Sequence, residues 1–132
     1  MIIYMSHSRE FDFKKELYVP IRESPLNSEH DFILPHENSN EPFDSENLFA
    51  KGCDLVISEV SFPSTGQGIE LAIAAREYKL PLAYISKKGS KTSGSLAKLN
   101  PLAQLEYSDA PEVISVIEEI IEKCKTILSS QS

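Results

Sequence analysis

Glu70 is placed where a carboxylate could do covalent chemistry on a sugar. It follows the turn-forming run Pro63-Ser64-Thr65-Gly66-Gln67-Gly68 and precedes the small and apolar residues Leu71-Ala72-Ile73-Ala74. Before the turn lies the apolar run Leu55-Val56-Ile57, with Val60 beyond it, which suits a strand covered on both faces. Strand, turn and helix in that order put a helix N-terminus at the carboxyl end of a strand, where α/β sheets receive ligands. Backbone amides there favour an anion, and the Ser64 and Thr65 hydroxyls would assist. A carboxylate among Ile69, Leu71 and Ile73 is partly desolvated, which suits a nucleophile toward an anomeric carbon. The plainer reading is that Glu70 complements the helix dipole and that Gly66 and Gly68 only give the backbone its freedom to turn. Gln67, three residues before Glu70, is a poor N-cap, so a capping-box role for the acid is weak.

The run Gly66-Gln67-Gly68-Ile69-Glu70-Leu71 is not the dinucleotide fingerprint, because Leu71 stands where a third glycine belongs. It is not a P-loop either, since no Gly-Lys-Ser/Thr follows. Glu59, late in the buried strand, needs a partner or opens into the cleft. Ser6, His7, Ser8 and Arg9 end the first strand and are expected to line the same cleft. Arg9 could meet a phosphate or form a surface ion pair. His30 and His36 lack metal-ligand spacing and read as loop residues. Cys53 and Cys124 form no metal or redox spacing and read as reduced core thiols.

These residues are positioned by an alternation of strands and helices. Ile2-Ile3-Tyr4-Met5 is a short strand. Residues 10–17 carry Phe13 and Leu17 at helical spacing, and Pro20 is expected to limit that helix. Residues 24–27 form a turn, and Phe32-Ile33-Leu34, stopped by Pro35, is the second strand. Residues 36–43 are a polar, proline-containing loop over the site, and 44–52 a short helix. After the central strand and helix come the buried strand Leu82-Ala83-Tyr84-Ile85, a flexible basic loop over 86–95, a helical turn at 96–99 and a short strand at 103–107. Asp109 with Glu112 resembles a capping box, Pro111 suits a first turn, and Val113, Val116, Ile117, Ile120, Ile121, Cys124, Ile127 and Leu128 repeat at helical spacing. That stripe reads as core or dimer packing, and residues 129–132 are expected to fray. The sum predicts one domain over 1–132, a doubly wound, flavodoxin-like or Rossmann-like parallel sheet of four to five strands with helices on both faces.

Composition bounds the partners. The 132 residues carry a formal charge of −7, which argues against a nucleic-acid polymer or an anionic membrane as partner. No run approaches a membrane span and no signal peptide is evident, so a cytoplasmic domain is expected.

Residues 54–74, DLVISEVSFPSTGQGIELAIA, resemble the nucleoside 2-deoxyribosyltransferase superfamily, above all its 2'-deoxynucleoside 5'-phosphate N-hydrolase branch. The shared pattern is an acidic strand end, Pro-Ser, Gly-x-Gly and Glu-Leu-x-x-Ala. The resemblance implies a doubly wound α/β fold and cleavage of the N-glycosidic bond of a deoxynucleoside 5'-monophosphate. In the transferase branch it implies base exchange on free deoxynucleosides. It implies that Glu70 is the nucleophile, that Tyr4 stands beside it, and that Ser8, Ser64 and Gly66 hold the 5'-phosphate. Ser95 matches a phosphate-binding serine given by the neighbouring subunit of a homodimer. Glu46 falls where an aspartate usually handles the leaving base, and His7 where a glycine usually ends the first strand. His7, Arg9, Glu59 and Gly68 complete the expected substrate-binding set. The resemblance implies a small nucleotide or nucleoside as ligand and neither metal nor organic cofactor.

Overall fold

Among the described residues, five parallel strands form one sheet. β1 (Ile2–His7), β2 (Asp31–Ile33), β3 (Leu55–Glu59), β4 (Leu82–Lys87) and β5 (Gln104–Tyr107) lie in the order β2-β1-β3-β4-β5. The computed structural model describes residues 1–130. In register, Tyr4 lies opposite Val56, Ser6 opposite Ser58 and His7 opposite Glu59. The order reverses direction between β1 and β3, so their carboxyl ends open the crevice in which such sheets bind ligands.

Strand alternation sends the two sets of side chains to two cores. Ile3, Met5, Leu55, Ile57, Ala83 and Ile85 face one core, with α1 (Lys14–Tyr18 and Val19–Glu23), α2 (Leu26–Glu29) and α6 (Ala110–Ser130). Tyr4, Val56, Leu82 and Tyr84 face the other, with α3 (Ser45–Lys51) and α4 (Thr65–Arg76). α6 buries Val113, Val116, Ile117, Ile120, Ile121 and Cys124, each apolar side chain contributing roughly 1.5–3 kcal/mol. Its stripe is therefore core, and Leu128 beyond it is exposed. The Asp109 carboxylate accepts from the Glu112 N–H at 3.0 Å and caps the helix. The helix continues to Ser130, past the expected fraying point at 129, and residues 131–132 lie outside the described ones.

Three local expectations are corrected. The first helix, α1, is not stopped by Pro20: it opens with a π turn, Lys14–Tyr18, and continues through Val19–Glu23. The Val19 N–H donates to the Lys14 carbonyl five residues back, and this wider turn gives room where the proline ring would press on the preceding turn. The expected turn at 24–27 runs into the short helix α2. Gly66 and Gly68 do not form the turn after β3. Both lie in the first turns of α4 without positive φ, and the turn itself is completed by Ser64, the N-cap. The basic loop leads into the short helix α5 (Gly94–Ala97). Among the described residues no helix is long and apolar enough to cross a membrane. Cys53 and Cys124 are free, buried thiols.

Candidate functional site

A cleft of about 610 Å³ opens at the carboxyl ends of β1 and β3. Tyr4, His7, Ser8 and Arg9 come from β1 and its loop, Ser64, Gly66 and Glu70 from the start of α4. Residues 35–43 supply the remaining wall through Pro35, His36, Pro42 and Phe43. The apolar run of β1 buries Tyr4, and parity turns its ring toward α4 rather than α6. Its hydroxyl donates to Glu70 Oε2 at 3.0 Å. Burial, and then the Glu70 carboxylate, raise the Tyr4 pKa and keep the phenol protonated as a donor. Glu70 is half-buried and four residues from Gly66, so the two share one face of α4 about 6 Å apart along its axis.

The start of α4 offers the cleft a helix N-terminus, whose dipole favours an anion. Ser64 Oγ accepts from the Gln67 N–H at 3.4 Å, and the Ser64 carbonyl accepts from the Gly68 N–H at 3.1 Å. The earliest N–H groups of a helix have no partner inside it and point outward with the positive end of the dipole. A Cβ on Gly66 would meet nothing in the chain, so the glycine leaves the backbone bare on the cleft side. Across the cleft the Arg9 guanidinium is 3.4 Å from His36 Nδ1, with no carboxylate among the described residues paired to it.

His7 is a wall and not a cation. Burial lowers its pKa to about 4, so the ring is neutral near pH 7. Nδ1–H donates to the Ser8 carbonyl at 2.8 Å, and Nε2 lies 2.7 Å from the Tyr18 hydroxyl. That hydroxyl in turn accepts from the His36 N–H at 3.0 Å, which leaves its own proton for His7 Nε2. Both ring nitrogens are thereby used within the chain. Ser8 is buried, and its Oγ accepts from the Glu10 N–H at 3.0 Å while lining the cleft.

Four expected site residues lie elsewhere. Glu59 does not open into the cleft: it is fully buried on the opposite face, two residues from Ile57. It accepts from Ser61 N–H at 2.6 Å, from Ser61 Oγ at 2.9 Å and from the Tyr107 hydroxyl. The satisfied carboxylate ties β3 to β5. Gly68 and Ser95 line a second cavity, of about 650 Å³, on the other flank of α4. Within one chain they are not part of the cleft. Glu46, in the first turn of α3, lines a small annex of about 280 Å³ that Phe43, Gly66 and Glu70 share with the main cleft. It is therefore a neighbour of Glu70 from the annex side.

The loop 36–43 lines the cleft, as expected of it, but Gln67, His36 and Phe43 were not among the individual residues expected in the site. Gln67 is buried, and its Nε2 donates to Ser58 Oγ at 2.7 Å and to the Glu59 carbonyl at 2.8 Å, fixing α4 on β3. Phe43 stacks on Tyr4, ring centroids 5.5 Å apart and planes at 15°. The available signal for Phe43 was an aromatic residue ending an otherwise polar loop. Gln67 carried none, because its burial depends on the fold. Ser6 Oγ, on the face of β1 that carries Tyr4, is buried with no hydrogen-bond partner among the described residues. Among the described residues no group of three or more His, Cys, Asp or Glu side chains is placed to hold a metal ion.

No protein-family model matches the chain. No curated protein matches it at a significant level. Among solved structures it is similar to the signal receiver domain of a modulated diguanylate cyclase from Desulfovibrio desulfuricans, described as an example of alternate folding. The TM-score is 0.54 at 14% identity, over 94% of this chain and 96% of that one. At that identity the likeness concerns the fold alone, and the chain has a five-stranded, flavodoxin-like α/β fold.

Proposed function

We propose that the chain cleaves, or transfers across, the N-glycosidic bond of a deoxynucleoside 5'-monophosphate through a covalent deoxyribosyl ester on Glu70. The observation that carries this reading is the Tyr4–Glu70 hydrogen bond of 3.0 Å, in the cleft wall about one and a half helical turns from the N-terminus of α4. Tyr4 holds Oε2 and so presents the other carboxylate oxygen to the anomeric carbon. As the oxygen–carbon bond forms, the carbon–nitrogen bond breaks and its electron pair passes to the base. An acid on the annex side, Glu46, or water supplies the proton. Water then attacks the ester, its proton goes to solvent or to a neighbouring base, and deoxyribose 5-phosphate leaves with Glu70 again a carboxylate. In that second step the Tyr4 proton stabilises the departing carboxylate. A second base in place of water gives transfer.

The phosphate is assigned to the start of α4, with Ser64, Gly66, Ser8 and Arg9 around it. This favours a monophosphate over a free nucleoside, which has no anion to place there. The test is to incubate the protein with each deoxynucleoside monophosphate and each nucleoside, follow free base, and search intact mass for the trapped sugar phosphate. Base release is expected to fall by roughly 10³-fold or more in Glu70→Ala. Release that survives this change would sink the nucleophile assignment. Tight monophosphate binding with no base released over long incubation would mark a binding module without turnover.

A further inference from the structure

Among the described residues Phe43 is one of four large hydrophobic residues left exposed, at 38%, and it lines the cleft. It stacks on Tyr4, which is 2% exposed and also meets Phe49 in an edge contact at 5.8 Å. With one face covered by Tyr4, the exposure of Phe43 belongs to its other face and edge. Phe43 and Glu70 line both the main cleft and the annex, so the ring stands where the two cavities meet beside the carboxylate. Pro42 before it and the Asp44 cap of α3 after it, which accepts from the Asn47 N–H at 3.0 Å, restrict the chain on both sides.

From this placement we propose that Phe43 is the stacking platform for the departing base. This inference rests on the glycosidic reading and adds to it the residue that receives the base. The sugar is bounded by the phosphate site at the start of α4 and by Glu70 further along the same helix face. The substituent on the anomeric carbon must then leave that face toward the annex, past Phe43. An apolar aromatic plane offers little to a hydroxylated or aliphatic group and binds any nucleobase through its π face, with modest preference among bases. Phe43 binds and does not react, so its loss should weaken capture of the base-bearing substrate while chemistry on bound substrate is less affected.

The test compares deoxyribose 5-phosphate with carbocyclic deoxynucleoside monophosphates, whose base cannot be cleaved off, by calorimetry, using the full chain and its Phe43→Ala, Phe43→Leu and Phe43→Trp variants. Stacking on a single ring corresponds to a loss of roughly ten-fold or more in nucleotide affinity for Phe43→Ala. Phe43→Leu should lose nearly as much, because it restores apolar area and not the plane, and Phe43→Trp should retain binding. Affinity for deoxyribose 5-phosphate, which has no base, is expected to stay within about two-fold in all three variants, since the ring takes no part in holding the phosphate. Equal nucleotide affinity in Phe43→Ala and the unaltered chain would overturn the platform. So would a parallel loss of deoxyribose 5-phosphate binding, which would make Phe43 a general wall. If the unaltered chain binds neither compound, the glycosidic reading itself fails, and that result differs from every outcome above.

Discussion

At the residue scale the cleft divides its work between groups that hold charge and groups that hold position. Tyr4 belongs to the second kind: its phenol is buried, stays protonated and gives its one proton to Glu70 Oε2. Hydrogen bonds to charged groups contribute about 1.5–3 kcal/mol, so Tyr4→Phe should slow base release by roughly 10- to 100-fold. On the proposed mechanism the loss should appear in kcat, with KM little changed, because the bond would orient the nucleophile and not touch the phosphate. Single-turnover kinetics at saturating monophosphate checks this; a change confined to KM would place Tyr4 in binding. Phe43 remains to fill the space above the ring, so the variant keeps its packing and the comparison is clean. The contrast with His7 is instructive. Both rings come from β1, yet His7 spends both nitrogens on Ser8 and Tyr18 and has none to offer a ligand.

At the scale of elements, α4 carries the site, and its two early glycines separate stability from binding. Neither has a strained φ, and a Cβ on either meets nothing in the chain. Replacing glycine by alanine in a helix favours folding by about 0.5–1 kcal/mol, so Gly66→Ala and Gly68→Ala should each raise the thermal midpoint. Of the two, Gly66 alone lines the main cleft, so on the proposed reading only Gly66→Ala should also raise KM, by putting a methyl group where the phosphate would approach. Calorimetric melts beside initial rates check both halves, and equal kinetic effects at the two positions would contradict the placement. Much of this scale is legible in the chain itself. The alternation of apolar runs with helical stripes announces the sheet, and the stripe from Val113 to Cys124 announces α6. What is hidden is which face a strand residue takes, because both faces of a covered parallel sheet are apolar. Glu59 shares the parity of Leu55 and Ile57 and so turns from the cleft, whereas Tyr4 shares that of Ser6 and turns toward α4. Pro20 misleads for a related reason: its cost is set by the turn around it, and a π turn accommodates it.

At the scale of the whole molecule, the folded chain excludes protons from its histidines, and this sets how stability depends on pH. All three, His7, His30 and His36, have lowered pKa values, burial being the largest cause in each. His7 is the strongest case, moved from 6.5 to about 4, while the unfolded chain keeps the ordinary value. Between those two pH values the unfolded state binds the proton and the folded state does not, so acid favours unfolding. The contribution is therefore whole above pH 6.5 and is lost as the pH falls toward 4. It amounts to a few kcal/mol at most, order of magnitude, from the size of the shift. Glu37, held below the usual carboxylate range by its hydrogen bonds to Arg22, acts in the same direction. The formal charge of −7 opposes both, because self-repulsion eases as carboxylates protonate. Urea unfolding across this range separates the terms. His7→Asn removes the His7 titration and leaves the carboxylates in place, so its stability should vary less with pH than that of the unaltered chain. An unchanged pH slope would mean that His7 is not held neutral in the fold, and the hydrogen bond from Tyr18 to its Nε2 would have to be reversed.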